Sequence, residues 1–255
     1  MRSRSLCLAR HSMKLYLSDP AALIVYLVMP LGLMAFMLPL SEALLRAQGY
    51  VNATGAEQAV PGLTIMFSFM MMSVIGMQFY REYGWGTWDR LRIASGGVSI
   101  VVGKILPGLL LILCEMGIVF TIGGVIFGLR VTGSIVGLIA IFLTLAFCTM
   151  SLTMALIAWC HTLDQLIVIA NLVAMLFSGI GGSFAPVDSL PGWAAKIAVA
   201  SPAYWALKAM HGIILDGQGF GFGIRAAGEL LGFGLQFAVL ATVRFNMKEI
   251  KVSDT

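Results

Sequence analysis

Six apolar segments, each about as long as a membrane-spanning helix, constrain the fold of this chain more than any other feature. A helix needs about 20 apolar residues to cross a hydrocarbon core of roughly 30 Å, because each residue rises 1.5 Å and no backbone polar group can stay unpaired there. With 11% charged residues and a mean hydropathy of +0.94, the chain is too apolar for a soluble domain of 255 residues. We therefore predict an all-α membrane protein with spans at 21–40, 59–80, 99–129, 131–159, 163–184 and 224–243.

The distribution of basic residues predicts the orientation of these spans. Most of the 16 Lys and Arg residues lie in or beside 1–20, 81–98 and 244–255, which six spans place on one side of the membrane. Cytoplasmic loops collect Lys and Arg, so both termini are predicted to be cytoplasmic, in the plasma (inner) membrane of a bacterium. The predicted organisation is an amphipathic segment at 1–20, a six-helix domain at 21–243 and a cytoplasmic tail at 244–255.

The connection between the fifth and sixth spans, residues 185–223, is too long for a turn. It contains Pro186, Pro191 and Pro202, and its apolar stretch 193–215 is interrupted by Pro202. A stretch broken in this way cannot span a bilayer. We predict short helices that dip into the outer interface and return.

No pattern in the sequence indicates catalysis, a metal site or nucleic-acid binding. The three histidines lie far apart without Cys or carboxylate residues at ligand spacing, and the basic residues are dispersed. The stretch Gly97–Lys104 resembles a phosphate-binding loop, but it is one residue too long and Ile105 replaces the Ser or Thr that would hold magnesium. The chain is predicted not to be an enzyme and to bind no cofactor, so uphill transport would draw on an ion gradient or a separate ATPase.

The inner loop at 81–98 has the most specific sequence in the chain. Charged residues alternate with aromatic and aliphatic ones, so a helix from about Thr87 would be amphipathic, with Trp88 and Leu91 on one face. Thr87 would cap this helix, and Asp89 in its first turn would interact favourably with the helix dipole. Periodicity alone fits a helix lying on the membrane surface and a docking surface for a partner equally well.

The sequence of this loop resembles the coupling segment of the type 2 ATP-binding-cassette (ABC) exporter permeases. In that family an R-E-x-E-x-G-T-x-E-x-L pattern precedes a G-K pair at the third span. This chain departs from the pattern at Gly84, which replaces an acidic residue. The matching residues are Arg81, Glu82, Gly86, Thr87, Trp88, Asp89, Arg90 and Leu91, followed by Gly103 and Lys104.

The connection before the last span resembles the outer re-entrant segment of the same family. There, a P-x-x-x-L-P-x-W stretch precedes an N/S-P-x-x-Y/W stretch. With six spans and both termini inside, the resemblance covers essentially the whole chain. The residues that carry the outer motif here are Pro186, Pro191, Trp193, Pro202 and Tyr204.

The resemblance implies a transmembrane permease subunit that pairs with a second copy or a paralogue and binds two ATPase subunits at its cytoplasmic face. ATP and Mg would be bound by those partners, and Arg81–Ser95 would transmit their motion. The expected cargo is a hydrophobic or amphipathic small molecule, such as a drug, an antibiotic or a lipid, moved outward as in multidrug efflux. The alternatives are a permease for polysaccharide or glycolipid export and, in another class, an ion-coupled carrier or channel.

Two features inside the spans suggest a cargo path. Counted from Lys104, Glu115 lies about 16 Å into the third span, near the midplane, where it would either face a wet path or be protonated and hydrogen-bonded to Thr149 or Ser151. The second span is rich in methionine and phenylalanine, including Phe67 and Met70. Such side chains suit varied hydrophobic cargo, and they equally suit core packing.

Overall fold

The computed structural model describes Met13, residues 20–84 and residues 97–244, and throughout this part of the chain the regular structure is helical. Among the described residues, six helices are long and apolar enough to cross a membrane, as predicted. The bounds are α1 Pro20–Ala47, α2 Ala56–Gly84, α3 Gly97–Phe127, α4 Ile135–Trp159, α5 Leu163–Ile180, α6 Gly192–Ala198, α7 Pro202–Ile214 and α8 Phe220–Arg244, with a 3₁₀ turn at Val187–Ser189.

Several helix ends differ from the prediction. Helix α1 continues past residue 40 to Ala47, since Leu45 is buried and the side chains of Glu42 and Arg46 form an ion pair one turn apart. Helix α5 stops at Ile180, four residues early, because Gly182 adopts a left-handed conformation with φ of 95°. The connection before the last span is therefore 181–219 rather than 185–223.

Helix α2 is the central helix of the bundle. In its most hydrophobic window 89% of the residues are buried, against 17% for α1 and 28% for α8. It packs against α1, α3, α5 and, more locally, α4 and α7. Helix α2 therefore packs together with α1, α3, α4 and α5 around the centre of the bundle.

The last span is held mainly by α4. Helices α4 and α8 pack extensively against each other, and their backbones approach closely where Gly137 faces Gly223. A Cβ atom added at Gly223 would lie 2.6 Å from the Cα atom of Gly137, so this approach requires glycine.

The connections gather at the two ends of the bundle. At the cap end, defined by residues 48–55, 128–134 and 181–219, the Thr132 hydroxyl donates a hydrogen bond of 2.8 Å to the carbonyl of Ile214. At the opposite end, called the tail end, lie the end of α2, the start of α3 and the turn 160–162. Because consecutive long helices alternate in direction, every connection between two spans falls at one of these ends.

Candidate functional site

The tail end brings together the elements that flank the predicted coupling loop. Helix α2 continues to Gly84 and α3 begins at Gly97, so the two helices lead directly into and out of residues 85–96. Arg81 and Glu82 lie in the last turns of α2. The remaining predicted coupling residues, Gly86, Thr87, Trp88, Asp89, Arg90 and Leu91, lie outside the described residues, as do most of 1–20 and residues 245–255.

A hydrogen bond fixes the end of α2 to the turn between α4 and α5. The hydroxyl of Tyr80 donates to the backbone carbonyl of Cys160 over 2.7 Å, and both residues are buried. On the other side of this turn, the backbone N–H of Gln165 donates to the Thr162 hydroxyl and caps α5. The turn 160–162 therefore holds the end of α2 in a fixed position. Tyr80 was not identified from the sequence.

A cation–π contact joins α2 to α3 at the same end of the bundle, next to Tyr80. The ammonium nitrogen of Lys104 lies 4.4 Å from the centroid of the Phe79 ring, and only 8% of Lys104 is exposed. Lys104 belongs to the G-K pair that the sequence singled out. Phe79 and Tyr80 are adjacent on α2, so successive residues tie this helix to α3 and to the turn 160–162.

Glu115 is buried in the middle of α3. It is 4% exposed, and neither of its carboxyl oxygens has a hydrogen-bond partner. The hydroxyl of Thr149 is likewise buried without a partner, so the predicted alternative of a bond from Glu115 to Thr149 or Ser151 is not formed. A carboxyl group left unpaired in an apolar interior is costly, so Glu115 stands apart from the apolar residues that surround it.

The methionine and phenylalanine side chains of α2 lie mostly in the bundle core. Phe67 is 1% exposed, and its ring meets that of Tyr26 edge-on with centroids 6.4 Å apart. Met70, in contrast, is only partly buried. Within one chain Phe67 therefore packs as a core residue, whereas Met70 is partly accessible at the surface of the bundle.

An apolar cleft opens between α3, α4 and α8 in the half of the bundle nearer the tail end. Its volume is about 320 Å³. Thr242, one of its two hydroxyl-bearing residues, donates to the carbonyl of Val239 in its own helix and presents little polarity to the cleft. No sequence motif marks it, because its walls come from three distant segments. The lining residues are Ile105, Phe147, Met150, Ser151, Met154, Ala238, Ala241 and Thr242.

The cap end contains the predicted short helices. Pro186 precedes the 3₁₀ turn, Pro191 precedes α6 and Pro202 is the first residue of α7. Proline suits these positions because it presets the backbone angle and has no N–H to leave unpaired. Trp193 is 65% exposed, whereas Tyr204 packs edge-on against Trp205 with ring centroids 5.3 Å apart.

Two hydrogen bonds fix the cap segment, residues 181–219, onto the central helix and α5. The side-chain amide of Gln58 donates to the carbonyl of Gly182 over 2.7 Å, and the Ser201 hydroxyl donates to the carbonyl of Phe177 over 2.7 Å. A Cβ atom added at Gly62 would lie 2.1 Å from the carbonyl oxygen of Ser183, so α2 and the cap segment touch backbone to backbone. One helix, α2, therefore contacts the cap segment at one end and the turn 160–162 at the other.

Comparison with known proteins agrees with this architecture. The family model described as ABC-2 type transporter matches residues 5–215. A curated relative, ABC transporter G family member 20 of Dictyostelium discoideum, is 28% identical over 187 residues, which are 72% of this chain and 25% of the relative. The chain thus spans about a quarter of the length of that relative.

Proposed function

The chain belongs to the ABC-2 type transporter family, as a membrane permease of an ABC transporter, and on that premise we propose that it exports a hydrophobic or amphipathic small molecule with ATP hydrolysed by separate ATPase subunits. Two ATPases and a second permease, identical or paralogous, complete the proposed complex. ATP and Mg are bound by the ATPases, and this chain is a transport subunit rather than a catalytic one. The tail end faces the cytoplasm, in keeping with the positive charge of the segments there.

The path of α2 is the observation that carries this proposal. This buried helix runs from the cap segment to Gly84, where residues 85–96 begin. A push on that loop would act on α2 and α3 directly and on the turn 160–162 through Tyr80. ATP must favour one state of the permease over another, and the difference in free energy has to pass through this contact.

The apolar cleft supports a hydrophobic cargo. Its position near the tail end suits a molecule that arrives from the cytoplasmic leaflet of the bilayer. Its mostly apolar lining would bind such a molecule through van der Waals contacts and the removal of apolar surface from water, rather than through specific hydrogen bonds. Ile105, in this cleft, precedes Glu115 by about 15 Å along α3. We propose that cargo enters at the cleft and passes Glu115 and Met70, while Phe67 packs in the core behind this path, with a drug, an antibiotic or a lipid as the cargo class.

Assembly with the ATPase tests the role of the loop. Gly86→Pro should distort the predicted coupling helix, and Asp89→Lys should reverse a charge at its start, so each should reduce co-purification of the ATPase and ATP-dependent transport. The matched control is Asp188→Lys, the same charge reversal at the cap end. Full assembly and transport in both loop variants would overturn the assignment of Arg81–Ser95 as the coupling segment.

A further inference from the structure

The cap end holds a cavity that the transport proposal does not use. Its volume is about 590 Å³, within the range of cavities that accept a small molecule. It lies between the first connection, the 3₁₀ turn and helix α7, so three separate parts of the chain contribute to it. The polar groups that matter for binding are Tyr50, Asp188, Lys208, His211 and Asp216.

Two carboxylates converge on one side of this cavity. The Tyr50 hydroxyl donates a hydrogen bond of 3.0 Å to a carboxylate oxygen of Asp216. Burial, this hydrogen bond and the negative charges of Asp216 and Asp188 together raise the pKa of Tyr50. Asp188 is therefore near enough to Tyr50 to act on it, and both acidic groups are presented to the same cavity.

His211 adds a buried acceptor. Burial lowers the pKa of His211 to about 4. The negative charge of Asp216 and a hydrogen bond to the backbone of Glu57 raise this pKa and offset part of the effect of burial. The imidazole is therefore neutral at pH 7. Its Nε2 atom is buried and has no hydrogen-bond partner, and His211 is one of the residues that line the cavity, so a ligand bound there could satisfy this nitrogen.

The only cationic side chain among the lining residues, Lys208, is directed to aromatic rings. Its ammonium nitrogen lies 5.5 Å from the ring centroid of Tyr204 and 5.4 Å from that of Trp205. Two carboxylates, a neutral imidazole and one lysine give the cavity a net negative charge. Its electrostatics thus favour a cation over an anion.

We propose that this cavity binds a protonated primary amine borne by a small amphipathic molecule. The ammonium group lies between Asp216 and Asp188 and donates a hydrogen bond to Nε2 of His211. The apolar part of the molecule contacts Leu207 and Phe222, which also line the cavity. Among the described residues, His, Cys, Asp and Glu form no cluster that could hold a metal ion.

Fluorescence titration of the purified full-length chain in detergent with dansylcadaverine, a primary amine, tests this proposal. We expect saturable binding that Asp216→Asn weakens about tenfold, the effect of losing one charge-assisted hydrogen bond. Asp216 is exposed, so this variant leaves the fold intact. The matched control, Asp164→Asn in the first turn of α5 at the tail end, should leave the dissociation constant unchanged.

Two further experiments test the role of His211 and the need for a positive charge on the ligand. His211→Leu should weaken binding, while His211→Gln, which keeps an acceptor, should restore part of it. The N-acetylated probe, which has no charge, should bind at least tenfold more weakly than the amine. Equal binding of the two probes, or no effect of Asp216→Asn and Asp188→Asn, would overturn the proposal.

The amine could belong to a soluble molecule or to a phospholipid headgroup. In nanodiscs, competition by phosphatidylethanolamine that phosphatidylcholine does not reproduce would identify the headgroup as the source. Absence of such competition, with the probe still bound, would identify a soluble amine. The site does not depend on the ATPase, so it can be present even if the proposed export function fails.

Discussion

The hydroxyl of Tyr80 and the backbone carbonyl of Cys160 are joined by a hydrogen bond of 2.7 Å, which fixes the end of the central helix to the turn between α4 and α5. Both residues are buried, so the bond forms where water does not compete. Together with the contact between Lys104 and Phe79, it ties α2 to its neighbours directly before residues 85–96. A force applied to that loop would therefore move several helices together.

Removal of the hydroxyl in Tyr80→Phe should loosen this connection. We expect a loss of about 1 kcal/mol in the free energy of unfolding, the usual net value of one hydrogen bond. Cargo moved per ATP hydrolysed should also fall, because α2 would follow the loop without carrying the turn with it. Thermal unfolding and parallel transport and ATPase assays measure the two effects.

The control for this variant is Tyr50→Phe, which removes a tyrosine hydroxyl hydrogen bond at the cap end. It should leave the ratio of transport to ATP hydrolysis unchanged. An unaltered ratio in Tyr80→Phe would show that this hydrogen bond has no part in coupling.

Filling the apolar cleft should block the cargo. Ala238→Trp places an indole in the space between α3, α4 and α8, whereas the neighbouring Val239→Trp, at a site 60% exposed, adds the same ring outside it. We expect Ala238→Trp to abolish ATP-dependent transport and to retain the ATPase in the complex. Equal transport by the two variants would place the cargo path elsewhere.

Glu115→Gln tests the buried carboxyl of α3. Glutamine has nearly the same shape and cannot ionise, so the protein should fold while transport falls about tenfold through loss of one charge-assisted interaction with the cargo. The part of the pH dependence of transport that comes from ionisation of Glu115 should also be lost. The matched control is Glu42→Gln, at a partly exposed position near the end of α1. Transport by Glu115→Gln equal to wild type at every pH would assign Glu115 a purely structural role.

His211 should make the protein acid-sensitive. Burial lowers its pKa from 6.5 to about 4, so the unfolded chain binds more protons than the folded protein between these values. The free energy of unfolding should therefore fall by about 3 kcal/mol as the pH drops from 6.5 to 4, and change little above 6.5 through this group. Thermal unfolding of His211→Gln should lack this loss, whereas His161→Gln, on an exposed turn, should retain it.

The contact between α2 and the cap segment depends on glycine. In Gly62→Ala the new methyl group would meet the carbonyl of Ser183, which should cost roughly 1–3 kcal/mol as an overpacked site. Gly117→Ala adds the same methyl group where nothing lies within 4 Å and should change stability by less than about 1 kcal/mol. Equal melting temperatures for the two variants would show that the cap segment does not touch α2 as described.

Much of the fold is predictable because the membrane allows few solutions. Runs of apolar residues long enough to span the bilayer identified all six long helices, and the prolines of the cap segment predicted its short helices. Helix ends were less predictable: α1 continues to Ala47 through contacts of Leu45 that no local pattern reveals. Packing between distant segments, not composition, determines such boundaries.

The candidate sites likewise contain residues that the sequence alone identifies and residues whose importance depends on contacts with distant segments. Glu115 stands out in the sequence as a carboxyl deep in an apolar segment, and the structure leaves it buried without a partner. Tyr80 and His211 do not stand out, because their importance comes from Cys160 and from the cavity of the cap end, both far away in sequence. The central position of α2 was likewise not predictable, since its sequence is less apolar than that of α3 or α4.

Transport in proteoliposomes tests the central claim most directly. The chain would be purified with the ATPase that accompanies it and reconstituted with and without that subunit, and uptake of a fluorescent amphipathic cargo would be followed after ATP is added. The account predicts ATP-dependent uptake only when both proteins are present, and its loss in Asp89→Lys. Equal uptake by the chain alone, or uptake driven by an ion gradient without ATP, would contradict it.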